Sequence, residues 1–538
     1  MFKKRFSILS IVCSVVFLTS CTNTPAHLKA IPKESGLVLQ LNPFNLGIKA
    51  RIDQLDEYQF IKDLKNKKKD NDSLSKYWEE VTSNPFATGI SLTDDVYMFT
   101  TTENLTSGIS GGCIKLSNAN LFEIFITKIS GNKKYEESGL NFIDGSEGFL
   151  LAWNNEFVIG LKSGNFNKQN EVKEKLVELF NLSPENQLAN TEHFKVFNQS
   201  SEDISFMLSQ NAILANNSIS ALPTNKLADP LEGLYSIGHI AFNDDKIRVN
   251  IKNFKNEAFN GFKERYKNII QKYNTEINKV VPGKHLGLTT FSFNIEHVLD
   301  SLKDLPIQAQ MILASTRPVL ACFGGSFCFN FSDLGSVTEQ KMVYSDSGFI
   351  SVPNSNMVPK MTLGFDLKDP KALKATLSQF SGSPFLQKEN EYFVIQSQRA
   401  IGIPMYLYFN DKVGVITSEK SLAANLSQGI NPSESLANTS KNAKTVASNN
   451  YFFIDANLSN YPSILEEKVL EDDRLGRKAK RFAILKKVME NIEIRTQNTF
   501  DVTLDFNFQT KEGNVLQNIL NIINQLYLID NEDNASTF

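Results

Sequence analysis

Ser110 lies in the segment that comes nearest to a catalytic motif. Residues 108–112 read GISGG, which fits the G-x-S-x-G pattern of a serine nucleophile elbow. That elbow needs a strand before the serine and a helix after it, because the turn between them exposes the hydroxyl at the helix N-terminus. Residues 113–116 read as a strand instead. A flexible loop of serine and glycine is therefore the favoured interpretation, and a hydrolase is the least favoured function.

The histidines show no metal-binding pattern. None of them is paired with another histidine, a cysteine or a carboxylate at the spacing of a zinc site. The chain also lacks a phosphate-binding G-x-x-x-x-G-K loop and a dinucleotide glycine fingerprint. We therefore predict no metal and no cofactor, although distant residues can still assemble into a catalytic triad when the chain folds. The five histidines are His27, His193, His239, His285 and His297.

Cys322 and Cys328 offer two interpretations. They bracket residues 323–327, which read FGGSF and would suit the turn of a hairpin. An oxidising compartment would then permit a cross-strand disulfide between them. Two reduced cysteines buried on strands are the favoured alternative. In either case Cys113 is the only other cysteine beyond residue 21, so the chain is not a disulfide scaffold.

Cys21 is the residue whose flanking sequence specifies a chemistry. Positive residues at 3–5 precede an apolar stretch at 6–18, which is short of the roughly 20 apolar residues that span a bilayer. The stretch ends in LTSC at 18–21, which resembles the lipobox of bacterial lipoproteins. The resemblance implies that the chain is cut before Cys21 and that this cysteine receives lipid. An ordinary signal peptide with a chance cysteine, or an uncleaved anchor, is the alternative.

The residues after Cys21 bear on the compartment. Thr22 and Asn23 follow it, without the aspartate of an inner-membrane retention signal and without an acidic run of the kind that resembles a surface-export signal. We therefore expect a lipid-anchored envelope protein at the outer membrane, facing the periplasm.

Length and charge exclude some classes of function. A chain of 538 residues is long enough for two or more domains. After removal of the three positive residues at 3–5, 53 basic residues face 59 acidic ones, a net charge of −6. No basic face dominates, which argues against nucleic acid as a partner. The 40 phenylalanines allow a cavity for an apolar ligand, but the A/T-rich codons of a low-GC genome explain them equally well and are preferred.

Two predicted helices share one pattern of apolar residues and caps. The first follows a strand at 113–116 and cap candidates Ser117 and Asn118, and ends at Gly131. The second follows a strand at 363–367 and the cap Asp369, and ends at a glycine at position 382. The separations 122 to 373, 126 to 377, 129 to 380 and 131 to 382 all equal 251 residues. The apolar residues of one face are Phe122, Ile126 and Ile129 in the first helix and Leu373, Leu377 and Phe380 in the second.

Further segments recur in the same order. Strands at 149–153 and 157–161 flank Asn154-Asn155, and strands at 405–409 and 413–417 flank Asn410-Asp411. The sequence LANT occurs at 188–191 and at 436–439, and strands at 204–208 and 451–454 follow. Each half opens with an aliphatic residue and a proline, at 31–32 and 281–282, before strands at 37–41 and 288–293. Four matches in one order indicate an internal duplication.

The predicted fold is α+β, with two tandem duplicated halves. Short turns between strands favour a mostly antiparallel sheet with helices packed on one face in each half. The predicted segments are a signal peptide at 1–20, a lipidated tether at 21–30, a first repeat at 31–280, a second repeat at 281–530 and a polar tail at 531–538.

Several segments together resemble a known family. Ile31-Pro32 leads through a polar turn to a strand at 37–41, and residues 84–90, which read NPFATGI, lead to a strand at 96–99. With the duplication, these segments resemble an uncharacterised family of Bacteroidetes lipoproteins, a domain of unknown function. The resemblance covers nearly the whole mature chain, rests on structural motifs and implies no assigned activity.

The predicted function is a non-enzymatic binding or scaffolding module, tethered to a membrane of the cell envelope through its N-terminal lipid. Its partner would be an envelope protein or an apolar ligand. The alternative is a periplasmic carrier of a lipid or another apolar molecule, held between a sheet and its helices.

Overall fold

The computed structural model describes residues 25–66, 84–102, 109–145, 148–163, 169–200, 202–214, 233–301, 316–345, 348–396, 403–470, 476–497 and 500–531. Cys21, the predicted signal peptide and residues 532–538 of the predicted polar tail lie outside these residues. Within the described part of the chain, no helix is both long enough and apolar enough to cross a membrane.

The described strands are numbered along the chain: β1 (Leu37–Leu41), β2 (Val96–Thr100), β3 (Ser110–Lys115), β4 (Tyr135–Glu137), β5 (Leu140–Asp144), β6 (Phe149–Trp153), β7 (Phe157–Lys162), β8 (Ile204–Ser209), β9 (Tyr235–Phe242), β10 (Lys246–Asn253), β11 (Gly287–Ser292), β12 (Phe323–Ser345), β13 (Gly348–Leu367), β14 (Gly382–Ser383), β15 (Leu386–Glu389), β16 (Tyr392–Ile395), β17 (Met405–Phe409), β18 (Val413–Thr417), β19 (Asn450–Asp455), β20 (Met489–Gln497) and β21 (Asp501–Phe508).

The described α-helices are α1 (Pro43–Lys49), α2 (Gln59–Asn66), α3 (Ala119–Ser130), α4 (Gln169–Phe180), α5 (Glu192–Phe197), α6 (Gln210–Leu214), α7 (Glu257–Tyr266), α8 (Ile295–Ser301), α9 (Pro370–Phe380), α10 (Lys420–Ser427), α11 (Ser440–Ala447), α12 (Ser463–Leu470), α13 (Arg477–Leu485) and α14 (Val515–Asn531).

The chain forms two compact units. The first comprises Met1–Asn45 and Lys67–Tyr235, and the second comprises Leu46–Asn66 and Ser236–Phe538. In the first unit the strands pair in the order β8-β1-β2-β3-β7-β6-β5-β4. In the second unit they pair in the order β9-β10-β21-β20-β19-β11-β12-β13-β18-β17-β16-β15-β14. All these pairings are antiparallel, as the short turns predict, so the mixed α+β class is confirmed.

The first eight strands have counterparts in the second unit. The order β19-β11-β12-β13-β18-β17-β16-β15 repeats the order of β8-β1-β2-β3-β7-β6-β5-β4 strand for strand along the chain. Backbone hydrogen bonds recur as well. Leu188 donates to Ile31 and Leu436 donates to Val281, both at 2.9 Å. The predicted openings and LAN segments therefore make the same contact in each unit.

Helix α3 begins and ends as the sequence predicts, and α9 begins as predicted. The side chain of Asn118 accepts hydrogen bonds from the backbone of residues 120 and 121, and the side chain of Asp369 accepts one from Ala372. Such caps satisfy amide groups that have no partner within the helix. Gly131 adopts a left-handed φ of 68° after α3. Two details are wrong: Phe380, predicted beside Leu373 on the packed face, is exposed, and Gly382 does not cap α9 because it is the first residue of β14.

The two hairpins β6–β7 and β17–β18 also lie where the sequence predicts them. In the first, the side chain of Asn154 accepts hydrogen bonds from the backbone of residues 156 and 157. In the second, the side chain of Asn410 accepts the equivalent bonds from residues 412 and 413. Asparagine is favoured in such turns because its side chain replaces a backbone acceptor.

Each unit has its own apolar core. In the first unit Phe122 of α3 packs against Trp153 of β6, with ring centroids 5.5 Å apart. In the second unit residues of α10 and of strands β11, β12, β18 and β19 share one cluster that includes Tyr451 and Cys328. These cores fix the strand ends from which the site residues project.

The border between the compact units does not coincide with the predicted repeat border at 280/281. Strands β9 and β10 precede residue 281, yet β10 pairs with β21 of the second unit from Lys246 to Ile251. The second unit therefore begins at Ser236 and also includes Leu46–Asn66. The compact units and the sequence repeats are two different divisions of the chain.

Candidate functional site

Ser110 does not lie in a nucleophile elbow. It is the first residue of β3 and pairs with Thr100 of β2 and Lys162 of β7. The favoured loop interpretation was wrong in detail because the residue is part of the sheet. A serine within a strand lacks the strand-to-helix turn that aims a hydroxyl at the helix N-terminus.

The structure does not bring the histidines together into a site. His27 is buried in a short 3-10 helix in the first unit, and His193 stacks on Tyr235 with ring centroids 4.2 Å apart. His285 meets Phe453 edge to face in the second unit. Burial lowers the pKa of both His27 and His193 to about 4. Among the described residues, no three of the histidine, cysteine and acidic side chains lie close enough to hold a metal ion.

Cys322 and Cys328 do not form the candidate disulfide, in agreement with the favoured interpretation of two buried reduced cysteines. Both are reduced and buried, and the segment between them is not a hairpin turn but the start of the long strand β12. Residues six apart along a strand are roughly 20 Å apart, from a rise of about 3.3 Å per residue, and a disulfide requires Cα atoms within about 7 Å. Burial raises the pKa of the Cys328 thiol to about 12.

A buried carboxylate in the second unit anchors two arginines. Asp505 of β21 is almost fully buried and accepts two hydrogen bonds from Arg248 of β10, at 2.7 and 3.1 Å. Arg495 of β20 donates to the same carboxylate from the other side. The interaction ties three neighbouring strands together through their side chains.

A second buried carboxylate stands directly opposite the first. Glu493 of β20 is the cross-strand neighbour of Asp505 and accepts hydrogen bonds from Lys441 at 2.8 Å and Lys444 at 2.5 and 2.7 Å. Burial alone would raise the pKa of Glu493, but the two lysines hold it below its usual value. The Lys441 ammonium also lies 3.6 Å from the centroid of the Phe453 ring. Lys441 and Lys444 both belong to α11, so we assign their interaction with Glu493 to holding this helix on the sheet.

An open pocket of about 440 Å³ lies in the second unit. That volume suits a small ligand. Ser332 and Asp333 of β12 and Lys360 of β13 form one side, and the N-terminal turn of α10 with the loop that follows this helix forms another. Most lining residues are polar or charged: Pro282, Lys284, Ser332, Asp333, Lys360, Glu419, Ser421, Leu422, Asn425, Ile430, Asn431, Pro432, Ser433 and Glu434.

One ion pair crosses the wall of this pocket. Lys284 donates a hydrogen bond of 2.7 Å to the Asp333 carboxylate, which also accepts one from the Leu334 amide. Burial would raise the pKa of Asp333, but these hydrogen bonds hold it below its usual value. Lys360, Glu419 and Glu434 add charges of both signs. The pocket can therefore offer hydrogen-bond donors and acceptors together, which suits a small polar molecule.

A two-stranded arm projects from the same point of the sheet. Pairing of β12 with β11 ends at Phe331, and pairing of β13 with β18 begins at Thr362. Beyond them, β12 and β13 continue as twelve pairs with each other, from Leu334–Pro359 to Ser345–Gly348. A rise of about 3.4 Å per residue gives the arm a length of roughly 37 Å. Among the described strands, none other pairs with this arm.

Residues 28–516 match the profile of a family described as a domain of unknown function, DUF4836. The chain belongs to the DUF4836 family. No curated protein matches it. Among solved structures, crystal form IV of TP0453 matches with 11% sequence identity, over 42% of this chain and 79% of that chain. The TM-score of this match is 0.25, which is too low to support an argument.

The DUF4836 pocket and arm were not predicted from the sequence. Pocket residues come from four segments between Pro282 and Glu434, and none of these segments carries a recognisable motif. One signal for the arm was present: residues 341–344 and 349–352 are largely apolar around the polar turn sequence SDSG at 345–348. That pattern indicates a hairpin. It does not reveal that the hairpin stands apart from the sheet.

Proposed function

We propose that this DUF4836 protein is a membrane-tethered, non-enzymatic binding module of the cell envelope. The observation that carries the proposal is the open pocket at the root of the arm. Its lining includes charged groups of both signs, among them Lys360, Glu419 and Glu434, and so it suits a small hydrophilic ligand better than an acyl chain. The binding role needs no catalytic group, and Ser110 in a strand offers no support for a hydrolase.

The proposal includes two tandem duplicated halves, at 31–280 and 281–530. The repeated strand order supports it, as do equivalent hydrogen bonds beyond those of the openings. Leu116 donates to Glu156 and Leu367 donates to Lys412, both at 2.8 Å. A duplicated scaffold with different loops can keep one fold while one copy acquires a ligand site. Here the pocket residues all belong to the second repeat.

The proposal also places the protein on the outer membrane, facing the periplasm, with lipid on Cys21. The support is the order of positive residues, apolar stretch and LTSC in the first 21 residues. Intact-mass analysis of the native protein tests it. We expect a chain that begins at Cys21 and carries acyl groups. A chain that begins elsewhere and carries no lipid would exclude the anchor.

Native mass spectrometry tests the binding role. The mature chain is produced without lipid, from Thr22 onward, and weighed before and after denaturation. Asn425→Trp fills the pocket, whereas Gln428→Trp lies just past the end of the same helix and outside the pocket lining. We expect a small polar ligand on the unmodified chain and on Gln428→Trp, and its loss from Asn425→Trp. A ligand that remains on Asn425→Trp, or a bare chain in all three, contradicts a binding role for this pocket.

A carrier of an apolar ligand is the second candidate, and one observation favours it. One face of strands β9, β10, β20 and β21 is mostly aliphatic or aromatic, interrupted by Gly238 and Thr496, and its ten larger apolar side chains are half-buried. Extra mass of a lipid in the same experiment, unaffected by Asn425→Trp, would favour the carrier. These side chains are Ile240, Phe242, Ile247, Val249, Ile251, Ile492, Ile494, Val502, Leu504 and Phe506.

A further inference from the structure

The far end of the arm carries a set of apolar side chains that the protein itself leaves exposed. Tyr344 is 75% exposed and Phe349 is 71% exposed, although their rings contact each other edge to face at 5.4 Å. We call the set the arm tip, and it comprises Met342, Val343, Tyr344, Phe349 and Ile350. Water contact with five neighbouring apolar side chains is unfavourable by about 25 cal/mol per Å². Such a patch on a soluble surface marks a contact with something else.

The arm tip is apolar on both of its faces. Tyr344 pairs with Phe349, and Val343 pairs with Ile350. Residues that pair directly share a face of the ribbon, and successive residues along a strand alternate between faces. Tyr344 and Phe349 therefore lie on one face with Met342, and Val343 and Ile350 lie on the other. A flat partner surface would cover only one face, so the occupant has to surround the ribbon.

We infer that the arm tip inserts into the interfacial layer of a lipid bilayer. A bilayer surrounds an inserted ribbon on both faces without a matching pocket. Tyrosine and phenylalanine suit the boundary between headgroups and acyl chains, since their rings are apolar and the tyrosine hydroxyl can remain hydrated. A reach of roughly 37 Å, at about 3.4 Å per residue, lets the tip contact a surface that the sheet itself does not touch.

The identity of the bilayer rests on the proposed function, because the lipid on Cys21 would hold the chain beside a membrane. The contact by the arm tip does not need that lipid. A second copy of the chain is a weaker candidate for the occupant. The pocket at the arm root is lined mostly by polar and charged residues, which do not suit five apolar side chains.

Vesicle flotation tests the inference with the unlipidated mature chain and vesicles of phosphatidylethanolamine and phosphatidylglycerol. The test variant is Tyr344→Ser with Phe349→Ser. The control is Phe380→Ser with Phe385→Ser, which removes two other exposed aromatic rings of the same unit. We expect the unmodified chain and the control to float with the vesicles. The affinity of the tip variant for the vesicles should be lower by roughly tenfold or more, because less apolar area is withdrawn from water on binding.

Absence of flotation by the unmodified chain, or equal binding by the tip variant and the control, would overturn the inference. Because this chain has no lipid, the result is independent of whether the native protein is acylated. Phe349→Trp gives a second readout with brominated phosphatidylcholine. Quenching beyond that of the unmodified chain, whose Trp153 is fully buried, supports insertion, whereas equal quenching contradicts it. A dimer that the tip variant abolishes, without flotation, would assign the tip to a second copy instead.

Discussion

Replacement of His27 by phenylalanine should make the first unit less sensitive to acid. His27 is 2% exposed and lies 5.7 Å from the ring of Tyr97. Neither ring nitrogen makes a hydrogen bond of normal geometry, although the backbone of Asp95 lies near. The pKa of His27 is lowered from 6.5 to about 4, chiefly by burial; Asp94 opposes the shift, and Lys115 contributes to it. The folded protein therefore holds this imidazole in its neutral form.

The sign and size of the effect follow from proton linkage. Because the pKa is lower in the folded state, the unfolded chain binds the proton more tightly. The contribution of neutral His27 to the free energy of unfolding is complete above pH 6.5 and is lost as the pH falls from about 6.5 to about 4. At about 1.36 kcal/mol per pKa unit, the whole shift corresponds to about 3.4 kcal/mol, and roughly 2 kcal/mol of it is lost between pH 7 and pH 5.

Tryptophan fluorescence during urea unfolding measures this unit in a Trp78→Phe background, because Trp153 is then the only tryptophan of the chain and lies in the core of the first unit. His27→Phe should reduce the loss of stability between pH 7 and pH 5 by about 2 kcal/mol. His193 is untouched and leaves a residual dependence. His297→Phe, in the second unit, is the control and should behave as the unmodified chain does. An unchanged pH dependence in His27→Phe would refute the reasoning.

Three further predictions concern the second unit and the thiols. Gly364→Ala should lower stability by about 1–3 kcal/mol, since a Cβ there would lie 2.6 Å from Ile277 and 2.7 Å from Val281, whereas Gly382→Ala meets nothing within 4 Å. Thermal unfolding by circular dichroism compares the two, and equal melting would contradict the clash. Glu493→Gln should cost about 3 kcal/mol near neutral pH, because Lys441 loses its charged partner inside the protein. The pKa of Glu493 is lowered, so this difference in stability should vanish as the pH falls through that pKa. Hydrogen exchange of β20, near neutral pH and below the pKa of Glu493, measures the difference. Cys113, Cys322 and Cys328 should react with a thiol reagent only after denaturation, because all three are buried, and fewer than three thiols in the unfolded unlipidated chain would reinstate a disulfide.

The sequence predicted local structure well at positions where a single residue decides the local geometry. Asn118 and Asp369 cap helices because a short polar side chain satisfies nearby backbone amides. Asn154 and Asn410 form turns for the same reason. These interactions involve residues two or three apart, so a single segment contains all the information that they need.

The same reasoning left alternatives open where distant segments meet. The less favoured interpretation of Cys322 and Cys328 placed a hairpin turn between them, because the glycines there suit one. In the structure β12 continues through this segment, supported by β11 on one side and β13 on the other, with a shift in register between Phe323 and Phe327. Pairing with two neighbours stabilises the extended backbone more than an isolated turn would, and the glycines serve as an irregularity of the strand.

By itself, the sequence determined the helix caps, the hairpin turns, the antiparallel α+β character and the prediction of an anchor at Cys21, since each depends on neighbouring residues. Only the tertiary structure decided that Glu493 and Asp505 stand opposite each other and that Lys441 comes from a separate helix to meet them. It also decided that β12 and β13 outgrow their neighbours into an arm. Strand register and the meeting of separate elements are set by contacts between different segments, such as Lys441 and Glu493 at 52 residues apart, and no local pattern records them.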